Sequence, residues 1–415
     1  MHRIYLSAAV VCLVAARCSS GADHPAIHVD HPVALADQAV HLTVTDLEPH
    51  AKVTVGAEAV DRDGKKWHAE ATFTSDDHGT VDLDRAQPSG GSYQNTDGMG
   101  LFWSMNPPNG DPDQQTFTPP TVDDRPVEQV DVLVRKDGRE VARTTLTREW
   151  LGRGVTTRPV TLAKDKISGV YVAPPAGQAK HPAVVLIGGS EGGVASPPLT
   201  DLLASHGYPT LALAYFHAPG LPTDLRNIPV EYFASAAHWL ARQPGVDPAH
   251  VIAVGGSRGT EAALLLSQNF PNLVHGAVLY APSAKINGSF PDNQGVPWTL
   301  HGRALPVGDE PIPVDHISGP VLAIAGTGDL LWESQYAAAQ IVRELDSAHN
   351  RFPHQALVVQ GAGHGVSGAP YLPHGTTLVH PVLMRPLHLG GNRAANESAL
   401  RQGWARTLAL LGSLS

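Results

Sequence analysis

The sequence predicts two folded domains of different grammar: an antiparallel β-sandwich, then a mostly parallel α/β sheet with helices on both faces. Three observations predict this. From about His31 to Thr147, apolar and polar residues alternate and Asp-Gly turns separate the runs, the pattern of hairpins with one buried face. Later strands are continuous apolar runs that alternate with helical stretches, as expected where both faces of a sheet are covered. Among them, Val251–Val254 runs into Gly255-Gly256-Ser257-Arg258-Gly259 and then a helix-forming run, the strand, sharp turn and helix of a nucleophile elbow.

In the first half the alternating sets are Val40, Leu42, Val44; Val53, Val55, Ala57, Ala59; Trp67, Ala69, Ala71, Phe73; Val130, Val132, Val134; and Val141 to Leu146. The turns are Asp61-Arg62-Asp63-Gly64 and Lys136-Asp137-Gly138-Arg139. Several such strands make a sandwich. The Pro- and Gly-rich segment from Gln87 to Pro126 is too long for a structureless loop and is expected to pack on something. Its apolar knot, Gly98 to Trp103, reads as core.

Gly152 to Val160 reads as a linker. Beyond it, strands are expected at Ala183–Ile187, Thr210–Tyr215, the elbow, Gly276–Tyr280, Pro320–Ala325 and Ala356–Gln360. Helices are expected at Pro198–His206, Val230–Arg242, after the elbow, and at Ser334–Leu345 and Ser398–Leu411. The division is therefore a signal-like segment at 1–23, a sandwich at 24–150 and a catalytic domain at 160–415.

Composition narrows the function. The chain of 415 residues is 42% hydrophobic and 16% charged, with a net charge of −10 and no basic cluster, which argues against nucleic-acid binding. Cys12 and Cys18 are the only cysteines, so the folded body has no internal disulfide, no cysteine metal site and no cysteine nucleophile. No metal or cofactor is expected, and His24, His28 and His31 read as a solvated tail. Met1-His2-Arg3 followed by the apolar run Ile4–Ala16 reads as a secretory signal, too short to span a bilayer. Export or a cell-envelope location is expected, and a cytoplasmic one if the segment is not a working signal. Cys18 before Ser19-Ser20-Gly21 offers a lipid anchor, although Arg17 stands where a small residue normally precedes it.

A serine needs a base to take its proton and a third group to orient that base. In α/β-hydrolases these follow the serine in the order acid, then histidine, on loops after later strands. Asp329 ends the loop Gly326-Thr327-Gly328-Asp329, and His364 sits in Gly361-Ala362-Gly363-His364-Gly365, each just past an apolar strand. The expected triad is Ser257, Asp329 and His364. The expected oxyanion donors are the N–H of Arg258 and one from the Gly188–Gly193 loop near Gly189 or Ser190. Rival acids are Glu191, Glu333 and Asp309, and Ser190 is a rival nucleophile. The excursion from Ser283 to Asp315 is expected to cover the site.

These residues also carry a resemblance. Asp82–Tyr93 with Gly98–Trp103, Leu203–Tyr208 with Leu211–Tyr215, Gly326–Trp332, and Gly361–His364 with Pro370–Pro373 are similar to motifs of the type I acyl-CoA thioesterases and the bile acid-CoA:amino acid N-acyltransferase. The resemblance covers almost the whole chain after residue 30. It implies a sandwich followed by an α/β-hydrolase domain, with the triad at Ser257, Asp329 and His364. Family members that hydrolyse acyl-CoA carry serine at the nucleophile position, and those that conjugate amino acids carry cysteine. Ser257 therefore implies hydrolysis of an acyl-CoA or a similar acyl ester. Arg258 departs from the lysine of many members. An exported esterase, an acyltransferase and an envelope binding protein with an inactive site remain the competing readings.

Overall fold

The computed structural model describes residues 24–122, 125–177, 179–195 and 197–415. The signal-like segment 1–23, with Cys12 and Cys18, lies outside the described residues. His28, read as part of a solvated tail, instead lies in the strand Ala26–Val29.

The first half forms two sheets over one apolar core. The smaller is the three-stranded sheet of Ala26–Val29, Leu42–Thr45 and Val81–Asp82. The larger is built on the long antiparallel strands Lys52–Val60, Lys66–Thr74, Arg125–Lys136 and Arg139–Glu149. Their alternation has the expected consequence: Val53, Val55, Val132, Val134 and Leu146 join Leu42, Val44 and Val81 in the interior.

The second half is one eight-stranded sheet. Its order is Thr156–Val160, Ser168–Ala173, Thr210–Ala214, His181–Ile187, Val246–Gly256, Ala277–Tyr280, Val321–Gly326 and His354–Val359. From Thr210–Ala214 onward every neighbouring pair is parallel. The first strand lies within the stretch read as a linker, so the sheet begins at Thr156. Successive side chains along each strand go to opposite layers. Val184, Leu186, Ile252, Val254, Val278 and Ile324 pack with the helix Arg393–Gly412 and the sandwich core. Ala183, Val185, Ile187, Ala253, Leu279 and Ala323 pack under the helices Val230–Ala241, Arg258–Asn269 and Ser334–Ser347. No helix among the described residues is long and apolar enough to cross a membrane.

The two halves are joined by buried polar contacts. Asp37 accepts from Trp404 Nε1 at 2.7 Å and is paired with His206 Nε2 at 2.5 Å. The segment read as packing on something does so against the C-terminal helix. Arg393 donates to Asn106 Oδ1 at 2.7 Å and to the carbonyls of Trp103 and Met105. Phe117 N–H donates to Pro373 O at 2.9 Å. Leu101, Phe102 and Trp103 of the knot are buried.

Glu397, on the same helix, takes both its hydrogen bonds from Tyr371 N–H, and burial pushes its carboxyl up to about 8. A carboxyl with a raised folded pKa binds its proton more tightly in the folded state, so stability should decline as pH rises from the unfolded value toward 8. Denaturant unfolding at pH 5 and pH 8 should show that decline in the natural protein, on the order of a few kcal/mol. It should shrink in Glu397→Gln, and an equal slope in both would refute the assignment.

Candidate active site

The elbow strand and helix approach so closely that only glycine fits. A Cβ on Gly255 would lie 2.5 Å from Gly259 O, and one on Gly259 would lie 2.3 Å from Ile187 O. Between them Ser257 is held at φ 51°, ψ −120°, an uncommon conformation for a residue with a Cβ. Its N–H donates to Tyr280 O at 2.9 Å, which ties the turn to the neighbouring strand. The turn places Ser257 in a cavity of about 230 Å³ shared with His364, Gly189, Leu378 and Leu389.

His364 follows the strand His354–Val359 and is 8% exposed. Its Nδ1 lies 2.9 Å from Asp329 Oδ2, and its Nε2 is buried without a hydrogen-bond partner. Asp329 is fixed on both oxygens: Ser334 Oγ donates to Oδ2 at 2.6 Å and Leu331 N–H to Oδ1 at 2.9 Å. Burial works to raise this carboxyl, and the bonds from His364, Ser334 and Leu331 outweigh it, so its pKa lies below the ordinary value. A carboxylate kept ionised against Nδ1 selects the tautomer that leaves Nε2 free to accept a proton. The Trp332 ring lies edge-on to His364 at 5.3 Å, while its Nε1 donates to Ala281 O at 3.1 Å. Sequence reading passed over Ser334, although a serine at the start of a helix just after an acid loop was the available signal.

Of the rival acids, Glu191 lines the Ser257 cavity but binds the Gly189 N–H and not His364, and the other two lie elsewhere. Asp309 is exposed and paired with Lys285 Nζ at 2.5 Å. Glu333 precedes the helix Ser334–Ser347 and lines a separate cavity with Lys285 and Asp309. Ser190, the rival nucleophile, meets a different histidine: its Oγ lies 3.1 Å from His380 Nε2. His380 Nδ1 accepts the N–H groups of Val382 and Leu383, so Nε2 carries the hydrogen and is a donor.

One expectation meets a rival partner and one needs correction. The loop donor is expected near Gly189 or Ser190, and the Gly189 N–H donates to Glu191 Oε1 at 2.8 Å. A flexible carboxylate two residues on reaches it, and no sequence signal records that. The excursion from Ser283 to Asp315 does not cover the site, because none of its residues lines the cavity. It packs behind the elbow helix, with Trp298, Ile312 and Val314 in the core there. The cavity wall comes instead from Leu378, in the hairpin Thr377–His380 and Arg385–His388, and from Leu389 just after it.

The Arg258 side chain is buried. It is 7% exposed and its Nε lies 3.0 Å from Glu261 Oε1. It donates to the carbonyls of Gly288 and Asn287 at 2.8 and 3.2 Å. Glu261 also accepts from Trp298 Nε1 at 2.7 Å and Asn287 Nδ2 at 2.8 Å. As the first residue of its helix, Arg258 has an N–H with no acceptor inside the helix, which suits it to an oxyanion. The single Tyr215 O–H is shared between the Gly188 and Gly189 carbonyls, 2.9 Å from each.

Comparison with known proteins follows the same division. Residues 37–162 match the family model described as acyl-CoA thioester hydrolase/BAAT N-terminal region. Residues 228–292 and 304–413 match BAAT/acyl-CoA thioester hydrolase C terminal. The chain is 28% identical to the peroxisomal succinyl-coenzyme A thioesterase of Mus musculus, covering 91% of this chain and 93% of that one. It is 26% identical to acyl-coenzyme A amino acid N-acyltransferase 1 of Mus musculus, covering 89% and 93%. A dienelactone hydrolase-like promiscuous phosphotriesterase from metagenomic libraries is similar in structure, with a TM-score of 0.43 and 17% identity over 63% of this chain and 99% of that one.

Replacing Asp329 by Asn should remove the group that selects the tautomer. A fall in kcat of about 10⁴-fold is expected with an unchanged far-UV circular dichroism spectrum. A kcat within tenfold of the natural protein would assign the acid role to another residue. Glu261→Ala should leave the Arg258 guanidinium buried and unpaired, lowering unfolding free energy by about 3–5 kcal/mol. Equilibrium denaturation measures this, and a change below about 1 kcal/mol would count against the buried pair.

Proposed function

The chain belongs to the acyl-CoA thioester hydrolase/BAAT family, and from that premise we propose that it is a serine thioesterase that releases a free acid and CoA from acyl-CoA. The observation that carries this reading is the Asp329–His364 pair, whose free Nε2 shares one cavity with the Ser257 elbow. His364 Nε2 takes the Ser257 Oγ proton as Oγ attacks the thioester carbonyl. The tetrahedral oxygen draws on the Arg258 N–H, each such donor being worth about 10²–10³ in rate. Collapse expels the CoA sulfur. A thiol of ordinary pKa near 8.5 leaves readily, and the proton on His364 completes it. Water, deprotonated by His364, then attacks the acyl-enzyme and frees the acid.

The cavity wall is mostly apolar, with Leu186, Leu199, Leu378 and Leu389, which suits an acyl chain better than a charged head group. A second reading, an exported esterase that never meets CoA, is favoured by the apolar run Ile4–Ala16 behind a short positive start. The two are separated by comparing CoA thioesters with p-nitrophenyl esters and by locating the mature chain.

Ser257→Ala should abolish release of free CoA thiol from saturated acyl-CoA, a fall of about 10⁴-fold or more. A thiol-reactive chromophore follows the reaction. Unchanged turnover in that variant would sink the serine mechanism.

A further inference from the structure

Three groups meet at the point where an acyl oxygen would be received. A Cβ built on Gly189 would lie 2.8 Å from Glu191 Oε2 and 2.9 Å from Ser257 Cβ. Glu191 Oε1 simultaneously holds the Gly189 N–H at 2.8 Å. The peptides on this loop are held from one side, because the single Tyr215 O–H lies 2.9 Å from the carbonyls of both Gly188 and Gly189 and is shared between them. The N–H is therefore already aimed, and its present acceptor is a carboxylate oxygen, the same kind of acceptor as a tetrahedral oxyanion.

We propose that Glu191 gates the oxyanion hole, its carboxylate occupying the Gly189 N–H in the resting enzyme and giving way when an acyl oxygen arrives. This rests on the serine-hydrolase reading above. Two acceptors cannot share one N–H at full strength, and two like charges cannot crowd one donor in a partly desolvated cavity. Among the described residues the Glu191 carboxylate is held by backbone N–H groups and feels His364, and no salt bridge to arginine or lysine anchors it there. Burial raises its pKa, so the charge it brings to the hole is weakly held.

The test uses the full chain and a neutral alkyl fluorophosphonate, with labelling of Ser257 followed in single turnover. Glu191→Ala is expected to label about 10-fold faster or more, a fraction of the effect of one donor. Glu191→Gln keeps an oxygen for the N–H but loses the charge, and is expected to fall between Glu191→Ala and the natural protein. A phenylboronic acid, which forms a tetrahedral anion on the serine, should bind Glu191→Ala more tightly in the same order. A residue that merely holds the loop in shape would give slower labelling on removal. Equal or slower labelling in both variants overturns the gate. Glu191→Gln decides alone should the alanine variant fail to fold. No labelling of the natural protein would instead overturn the serine reading itself.

Discussion

The structure depends on one close approach, where the elbow helix passes the end of the strand His181–Ile187. The backbone of Gly259 leaves no room for a Cβ against Ile187 O and Gly188 O. That contact forces Ser257 into its positive-φ turn and brings the Gly188–Gly193 loop beside it. The other strands then do the assembling. Because they run parallel, their carboxyl ends lie on one edge, so loops after Gly326 and Val359 deliver Asp329 and His364 to the same place. A residue far off in sequence reaches Ser257 through strand register alone.

The pair of Arg258 and Glu261 extends this constraint behind the elbow. A buried ion pair adds little net stability, because desolvation offsets the attraction. Its value here is geometric. Arg258 binds Gly288 and Asn287, while Glu261 binds Asn287 and Trp298. The insertion after the strand Ala277–Tyr280 is thereby clamped to the first turn of the elbow helix. That turn carries the Arg258 N–H proposed to receive the tetrahedral oxygen, so the position of this donor is tied to the insertion.

The parts legible in sequence were those in which each residue reports its own environment. Continuous apolar runs gave the central strands because both faces there are covered. Glycine-flanked Asp329 and His364 were legible because each loop follows such a run. The edge strand Thr156–Val160 and its neighbour Ser168–Ala173 lack that signature, with Thr156, Thr157 and Pro159 exposed. The hairpin from Thr377 to His388 holds Pro381 and Pro386 and exposes Val379 and Met384, so it reads as loop although it brings Leu378 to the site. The partner of Gly189 N–H was beyond sequence for a different reason: a loop amide takes whichever acceptor tertiary packing brings.

The sandwich acts on the site at a distance. No residue of it lines the cavity at Ser257, so it does not shape that wall. Some of its contacts fall along the helix Arg393–Gly412, at Trp404 and, on the first turn, at Arg393. Arg393 is held by Trp103, Met105 and Asn106 of the sandwich half. One turn later Asn396 Oδ1 accepts the N–H of Gly363 at 2.7 Å, beside His364. Just before the helix, Leu389 O accepts the N–H of His364 at 2.8 Å and of Leu330 at 3.3 Å. The acid loop and the histidine loop thus hang from one short stretch whose far side is bolted to the sandwich. A histidine that must keep Nδ1 on Asp329 while offering Nε2 to Ser257 tolerates little movement of its backbone. In this chain that backbone is tied, through Asn396 and Leu389, to the end of the helix that Arg393 joins to the sandwich half.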